Sequence, residues 1–548
     1  MHAVSTLFLV ALVALVNVPF TRGEMLRGAN TTARKLVAWP TLMALPTPDE
    51  CAMAGGIYAG ICHRIGNKPQ TFTYEGDNGD KTVLFKYGEL VERAKQYKLS
   101  IKDTADDHEV YVYFAVYKLA LNVWTCVDPT RSTYGTTYGW VSGCTGEGDD
   151  KLIYKFVDAA RAGVQVRIVF HNPDGIPARG SSDEPDSKIW DYLTTDVSSL
   201  PSTFQIHRAD WKSGTTSGQM HNKFLLVSHH KTPNYMIQDN SFITRFTHST
   251  YVTTQNVDYY GSDTGSSNTD LHLDDYVQTG VLVRNDEDLY NHYVKYFETI
   301  WEHTLPASLV VREEDALLPS ACITETTCTR GFRERMRELH ENVDDPINYD
   351  GGDIQAFFYP LPNLNNIWDT EFNAVAKFVD DMDSDTSSSM RYFKMNMYHF
   401  KDGEFVTGLL GGLRKVPYNR LHARVVYTKD SSTYGTMERV RANPPNGGDL
   451  SIRFHGDEKQ MTHPYLSGQI RSWSPGSNKK SHAKNYQLYY QGSEGTEWVT
   501  ITGSTNGKDD AYNRKANNQI VFVERERQAD GTNPPIYEAH KVALYKSY

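Results

Sequence analysis

A histidine placed two residues before a lysine is the first pattern in this chain with chemical content. With 19 His and 28 Lys among 548 residues, chance alone gives about one such tripeptide, yet there are four: His221/Lys223, His229/Lys231, His399/Lys401 and His482/Lys484. Only two have matching surroundings. His221 leads into the apolar run Phe224-Leu225-Leu226-Val227, and Thr253-Thr254-Gln255-Asn256 follows a second strand-like run. His482 leads into Asn485-Tyr486-Gln487-Leu488, and Trp498-Val499-Thr500-Ile501-Thr502 then delivers Gly503-Ser504-Thr505-Asn506. The two histidines lie 261 residues apart. His229 and His399 lack this setting and read as incidental.

These residue types suit the cleavage of a phosphodiester. Such a reaction needs a nucleophile at phosphorus, an acid for a poor alkoxide leaving group, and positive charge for the non-bridging oxygens. Two histidines supply both proton states near neutral pH, one as neutral imidazole and one as imidazolium. Lys223 and Lys484 bring the charge, and the amides of Asn256 and Asn506 add donors. One His-Lys pair cannot fill all these roles; two can. No cofactor is called for, and no metal-ligand spacing is evident.

The elements that must position these residues also come twice. In the first half, helical spacing predicts a helix over Val83 to Lys98, then a strand over Val110 to Leu119. A helix over Lys151 to Ala162, closed by Gly163, and a buried strand over Val164 to Phe170 follow. The second half repeats the order: a helix over Glu371 to Met382, a strand over Arg391 to Phe400, a helix over Glu404 to Lys415 and a strand over Leu421 to Tyr427. One apolar face marks Asp288 to Thr304 as a helix closing the first half. The expected class is α/β, with two halves and mixed sheets. The stretches Gly261 to Asp270 and Ser472 to Ser481 read as polar loops. Expected boundaries are a signal peptide at 1–23, an N-terminal extension at 24–82, a first half at 83–310, a linker at 311–355 and a second half at 356–548.

Length and composition bound the rest. Apolar residues make up 39%, with 40 glycines besides, which excludes a largely disordered chain and a polytopic membrane protein. A net charge of −11 excludes a global basic field for nucleic acid. Leu7 to Val16 is an apolar run of about half the ~20 residues that a bilayer crossing needs, and it precedes Thr21-Arg22-Gly23. It reads as the core of a signal peptide, so the expected location is extracellular, without a transmembrane segment. Cys51, Cys62, Cys126, Cys144, Cys322 and Cys328 remain after cleavage, an even number that allows fifteen pairings. Pairing within 51–62, 126–144 and 322–328 is the simplest expectation, against a zinc set or six buried thiols. Asn30-Thr31-Thr32 is a glycosylation sequon.

His-x-Lys followed by Gly-Ser-x-Asn, present twice, resembles the phospholipase D superfamily. The resemblance covers roughly residues 83 to 548 and is carried by two short blocks, of which the second is closer. It implies a pseudo-symmetric two-half phospholipase D-like α/β/α/β/α sandwich with the active site at the seam. It also implies His221 as nucleophile and His482 as general acid. The superfamily's usual Asp, five positions beyond the Lys, is replaced by Ser228 and Tyr489, as it is absent from tyrosyl-DNA phosphodiesterases. Asp275, or its neighbour Asp274, and Gln519 fall where the superfamily orients its histidines, and Ser504 supports the second block.

The expectation is a secreted enzyme that hydrolyses the headgroup phosphodiester of phospholipids through a phosphohistidine, working as a monomer with peripheral contact to a membrane surface. Trp473 and Tyr465 are candidates for that contact. The alternatives are a secreted nucleic-acid phosphodiesterase, for which Lys479 and Lys480 would meet the backbone, and a non-catalytic secreted binding protein on the same fold.

Overall fold

The computed structural model describes, apart from short gaps, residues 79–119, 152–171, 199–209, 219–229, 248–257, 276–306, 332–340, 346–428, 450–455 and 480–546. The proposed signal peptide, Asn30, all six cysteines, Asp274, Asp275, Tyr465, Trp473 and His482 itself lie outside the described residues.

The first half runs α1 (Gly79–Ile101), β1 (Val110–Val116), α2 (Leu152–Arg161), β2 (Gln165–Phe170), β3 (Phe204–Arg208), β4 (Lys223–His229), β5 (His248–Thr253), β6 (Tyr276–Val277), β7 (Gly280–Arg284), α3 (Glu287–Trp301) and β8 (Leu305–Pro306). After β9 (Ile347–Tyr349) and β10 (Gly352–Tyr359) the second half follows. It runs α4 (Ala374–Ser384), β11 (Arg391–His399), α5 (Glu404–Lys415), β12 (Leu421–Thr428), β13 (Leu450–His455), β14 (Lys480–Ser481), β15 (Lys484–Gly492), β16 (Gly495–Gly503), α6 (Asp509–Asn513), β17 (Asn517–Glu524) and α7 (Pro535–Lys546).

One sheet has the order β7-β5-β4-β1-β2-β3-β8 and the other β13-β12-β11-β15-β16-β17-β10-β9. Six strands of each correspond in order and direction. β1 is parallel to β2 and antiparallel to β4, as β11 is parallel to β12 and antiparallel to β15. Both sheets are therefore mixed, as expected from two helix-crossover units with a returning hairpin.

Strand alternation builds the layers. On β1, Val112, Phe114 and Val116 join a cluster with α1 and α2, whereas Tyr113 and Ala115 face a central cluster. On β11, Phe393, Met395 and Met397 pack with α4 and α5, while Lys394 points the other way and lies 5.7 Å from the Tyr537 ring on α7. The central cluster holds Leu289, Tyr293, Tyr296, Phe297 and Ile300 of α3 with Phe224 and Leu226 of the first sheet and Ile520 and Phe522 of the second. The result is helices, sheet, helices, sheet, helices: the five-layer sandwich.

Local chemistry sets the boundaries. Gly163 adopts φ +99° and closes α2, its N–H meeting the Ala160 carbonyl at 2.9 Å. α4 begins later than its periodicity suggests because Asn373 caps it, accepting from the N–H groups of Val375 and Ala376 at 3.0 and 3.3 Å. The expected linker needs correction. Phe332, Met336 and Leu339 are buried in the central cluster, and β9 and β10 extend the second sheet. The described residues of this stretch belong to the folded body. Its apolar positions are too widely spaced among charges to show a clean period.

Burial there has a pH consequence. His340 is 3% exposed, and burial pushes it down to about 4. Unfolded histidine binds a proton below about 6.5 while the folded one does not, so the stability this group contributes above that pH is lost as pH falls toward 4. Between pH 6.5 and 5 the loss is up to about 2 kcal/mol. Half-buried His207, also held at about 4, acts in the same direction. Urea midpoints at pH 7.5 and 5.0 check this. His340→Phe is expected to show a smaller acid-induced drop than wild type, and an identical drop would refute it.

Candidate active site

The two halves meet by exchanging backbone. Met220, just before His221, forms an isolated parallel bridge with Ala516, at the entry to β17. Ser481, just before His482, pairs in parallel with Val277, at the entry to β7. Each His-x-Lys segment is thus held by residues of the other half that lie just before its last core strand. The His221 N–H donates to the Ala516 carbonyl at 2.7 Å, and the Ala516 N–H donates to Gln219 at 2.8 Å. Further bonds cross the seam: the Thr279 hydroxyl donates to Asn485 at 2.8 Å, and the Tyr296 hydroxyl donates to the Asn517 carbonyl at 2.9 Å.

His221 is 6% exposed, and its Nδ1 lies 2.8 Å from Asn517 Oδ1. The other end of the Asn517 amide is committed, since Nδ2 donates to the Ala511 carbonyl at 2.8 Å. Oδ1 therefore accepts, also taking the Ser504 hydroxyl at 3.1 Å. His221 must carry its proton on Nδ1, which leaves the Nε2 lone pair for attack. Burial holds the imidazole well below its usual pKa, and Lys223, Lys484 and Lys515 push it further in the same direction. The amide partner orients the ring without adding negative charge that would favour imidazolium. Both influences favour the neutral ring.

Lys223 and Lys484 are fully buried at the starts of β4 and β15. They occupy equivalent places: Lys223 pairs with Val116 of β1, and Lys484 with Met397 of β11. The residue after each partner is a tyrosine. Lys223 Nζ sits 5.1 Å from the Tyr117 ring centre and Lys484 Nζ 5.5 Å from that of Tyr398. Lys223 Nζ also donates to the His221 carbonyl at 2.8 Å, and a π face steadies a cation without neutralising it. Tyr117 also packs on His221, with ring centres 4.6 Å apart. Sequence reading missed both tyrosines. Their signal was present, in that each ends the first strand of its half with the same residue type.

Asn256 and Asn506 likewise correspond, each buried with a side-chain oxygen that has no partner among the described residues. Val257 bridges Leu119 and Gly507 bridges Phe400, so both loops dock beside the same tyrosines. The departure of the first block from Gly-Ser-x-Asn has a steric account. Gly503 has φ +145°, and a side chain there would strike the Asn518 carbonyl and crowd Gln519 Cα at 3.0 Å. In the first half the pairing partner of Thr253 is Gly280, where the pair in the second half is Gly503 with Gln519. The small residue has moved to the neighbouring strand, so Thr253 fits.

The histidine acceptor expected at Gln519 is instead Asn517, two residues earlier on the same face of β17. Gln519 is fully buried and accepts from the Tyr359 hydroxyl at 2.6 Å, away from His221. Ser504 does belong to the site, bridging Asn517 and Asn518 at 3.1 Å each. Of the histidines set aside, His399 ends β11, and its carbonyl accepts from the Gly507 N–H at 2.9 Å. Lys231 lies outside the described residues.

Two matched mixed sheets, five layers and a seam bridged by short parallel pairings form the two-half sandwich that the phospholipase D-like resemblance implies. Among solved structures, the chain is similar to phosphatidylserine synthase from Haemophilus influenzae Rd KW20, at 8% identity and a TM-score of 0.46, covering 85% of this chain and 84% of that one. Nuc from Salmonella typhimurium, a phospholipase D family member, matches at 12% identity and a TM-score of 0.20, over 36% of this chain and 91% of its own. Polyphosphate kinase from Porphyromonas gingivalis matches at 9% identity and a TM-score of 0.36, over 84% of this chain; the chain spans 53% of that kinase's length. No protein-family model and no curated protein matches the chain.

Proposed function

We propose that this protein is a phosphodiesterase of the phospholipase D type, exported from the cell, which hydrolyses the headgroup phosphodiester of phospholipids. The observation that carries the reading is the setting of His221, with its Nδ1 2.8 Å from Asn517 Oδ1. Asn517 accepts at Nδ1, while burial first and then Lys223 and Lys484, from the two halves, disfavour the imidazolium. Nε2 of His221 forms a bond to phosphorus as the bond from phosphorus to the leaving oxygen breaks. His482 gives that oxygen its proton. Water, losing a proton to His482, then forms a new bond to phosphorus and releases His221. One water is consumed, and both histidines return to their starting states. Lys223, Lys484 and the amides of Asn256 and Asn506 stabilise the charge gathering on the non-bridging oxygens.

Lipid as substrate rests on sequence: the apolar leader, the net negative charge, and aromatic residues near the second motif. No helix among the described residues is long and apolar enough to cross a membrane. Nucleic acid is the second reading. It is favoured by the absence of the motif carboxylate at both positions, where the chain has Ser228 and Tyr489. Parallel assays on phosphatidylcholine vesicles and single-stranded DNA decide between them. Release of choline with no DNA cleavage supports the lipid reading; the converse replaces it.

Because lysines and amides supply the charge, turnover of a soluble diester is expected to persist unchanged in excess EDTA. A strict divalent-ion requirement with that substrate would contradict the mechanism. A requirement confined to vesicles would concern docking alone.

A further inference from the structure

One buried hydroxyl close to the site takes no part in the proposed chemistry. Tyr296 lies on α3 in the central layer and is fully buried. Its hydroxyl accepts from the Asn222 amide at 3.0 Å and donates to the carbonyls of Tyr359 and Asn517, each at 2.9 Å. A hydroxyl has one hydrogen and two lone pairs, so the two carbonyls share that hydrogen while the amide takes a lone pair. Burial raises the phenol well above its usual pKa, which keeps the hydrogen in place. Stacking on Phe358, with ring centres 4.3 Å apart, fixes the ring.

The partners matter because of where they stand in the chain. Asn222 lies between His221 and Lys223. Asn517 opens β17, and its side chain receives His221 at Nδ1. Tyr359 ends β10, opposite Asn517 in the sheet, and its own hydroxyl donates to Gln519 on β17. One hydroxyl thus fastens the His221 segment, from the first half, to the strand of the second half that orients the His221 ring. Asn222 and Asn517 are both fully buried, where bulk water does not replace a lost partner. The arrangement is one-sided. Between His482 and Lys484 the second half has Ala483, which packs in an apolar cluster and has no side-chain polar group.

We propose that Tyr296 is a positioning residue for the nucleophile, holding His221 and its acceptor Asn517 in register across the seam. The effect on turnover rests on the phosphodiesterase reading; the positioning itself does not. Without the hydroxyl, β17 and the His221 segment shift relative to one another. The Nδ1 contact then loosens, the tautomer is no longer fixed, and Nε2 loses its line of attack.

Tyr296→Phe keeps the ring and its stacking and removes the hydroxyl alone. With bis(4-nitrophenyl) phosphate, kcat is expected to fall about 10- to 100-fold while KM stays within about twofold of wild type. A double-mutant cycle with Asn517→Leu separates positioning from stability. Because Tyr296 acts through Asn517, its substitution is expected to cost less than about threefold once that side chain is gone. Equal cost in both backgrounds overturns the proposal. Tyr296→Phe combined with Asn222→Leu removes hydroxyl and amide together, which provides a folded protein where the single variant is unstable. It is expected to show the same loss in kcat. Long-range proton–nitrogen correlation spectra of histidine-labelled protein read the ring without turnover, the His221 signals being assigned by their absence from His221→Ala. Wild type is expected to show the Nδ1–H tautomer and Tyr296→Phe a mixture; an unchanged tautomer in the folded variant overturns the proposal. No turnover of the diester, vesicle or DNA substrate by wild type, with the tautomer change intact, overturns the phosphodiesterase reading and leaves the positioning role standing.

Discussion

His221→Ala is expected to abolish turnover, with a loss on the order of 10⁴-fold or more, because the bond-forming atom itself is removed. The covalent adduct disappears with it. His482→Ala is expected to behave differently in kind. With a good phenolate leaving group, which departs without protonation, some adduct still forms; with an alkyl group, none does. Rapid quench followed by mass spectrometry locates the phosphorylated residue. Adduct on His482 would reverse the two roles, and full activity in His221→Ala would remove this site from the mechanism. Asn517→Leu separates orientation from chemistry. It removes the Nδ1 acceptor at 2.8 Å, so the tautomer is no longer fixed, and kcat falls more than KM rises.

Lys484→Met carries the second largest expected effect. The substitution keeps the volume and the packing on Tyr398 while removing a fully buried amine whose charge burial disfavours and which a phosphate would favour. Loss of a preorganised cation facing the phosphoryl oxygens costs about 10²- to 10³-fold in kcat. A second consequence follows from the direction of its field. Lys484 helps keep His221 neutral, so without it the His221 pKa rises and the acidic limb of the pH–rate profile moves to higher pH. A structural role for Lys484 predicts lower stability with an unmoved acidic limb. The combination of lower kcat, unchanged melting temperature and a shifted limb identifies an electrostatic one.

The sequence by itself determined the duplication and the residues at its centre. Strand alternation over Val110 to Val116 and helical spacing through α1 to α5 were legible because each element buries one face against a neighbour in its own half, and burial imposes a local period. His221, Lys223, Asn256, Lys484, Ser504 and Asn506 were legible because a core has no use for buried lysines beside histidines, repeated in matching places. Tertiary structure decided what depends on contact between the halves. Asn517 rather than Gln519 receives His221 because Ala516 forms a bridge with Met220, a pairing between residues almost three hundred apart that leaves no periodic trace. The exchange of glycine between Gly503 and Gly280 is visible only once β5 pairs with β7 and β16 with β17. The packing of Phe332, Met336 and Leu339 was hidden for the same reason, since their partners are the central cluster and not their own neighbours. The electrostatics of the site came last. Whether a lysine is a solvated surface group or a paired one depends on what folds beside it: Asp509 caps α5, while Asp510 meets both Lys508 and Lys515.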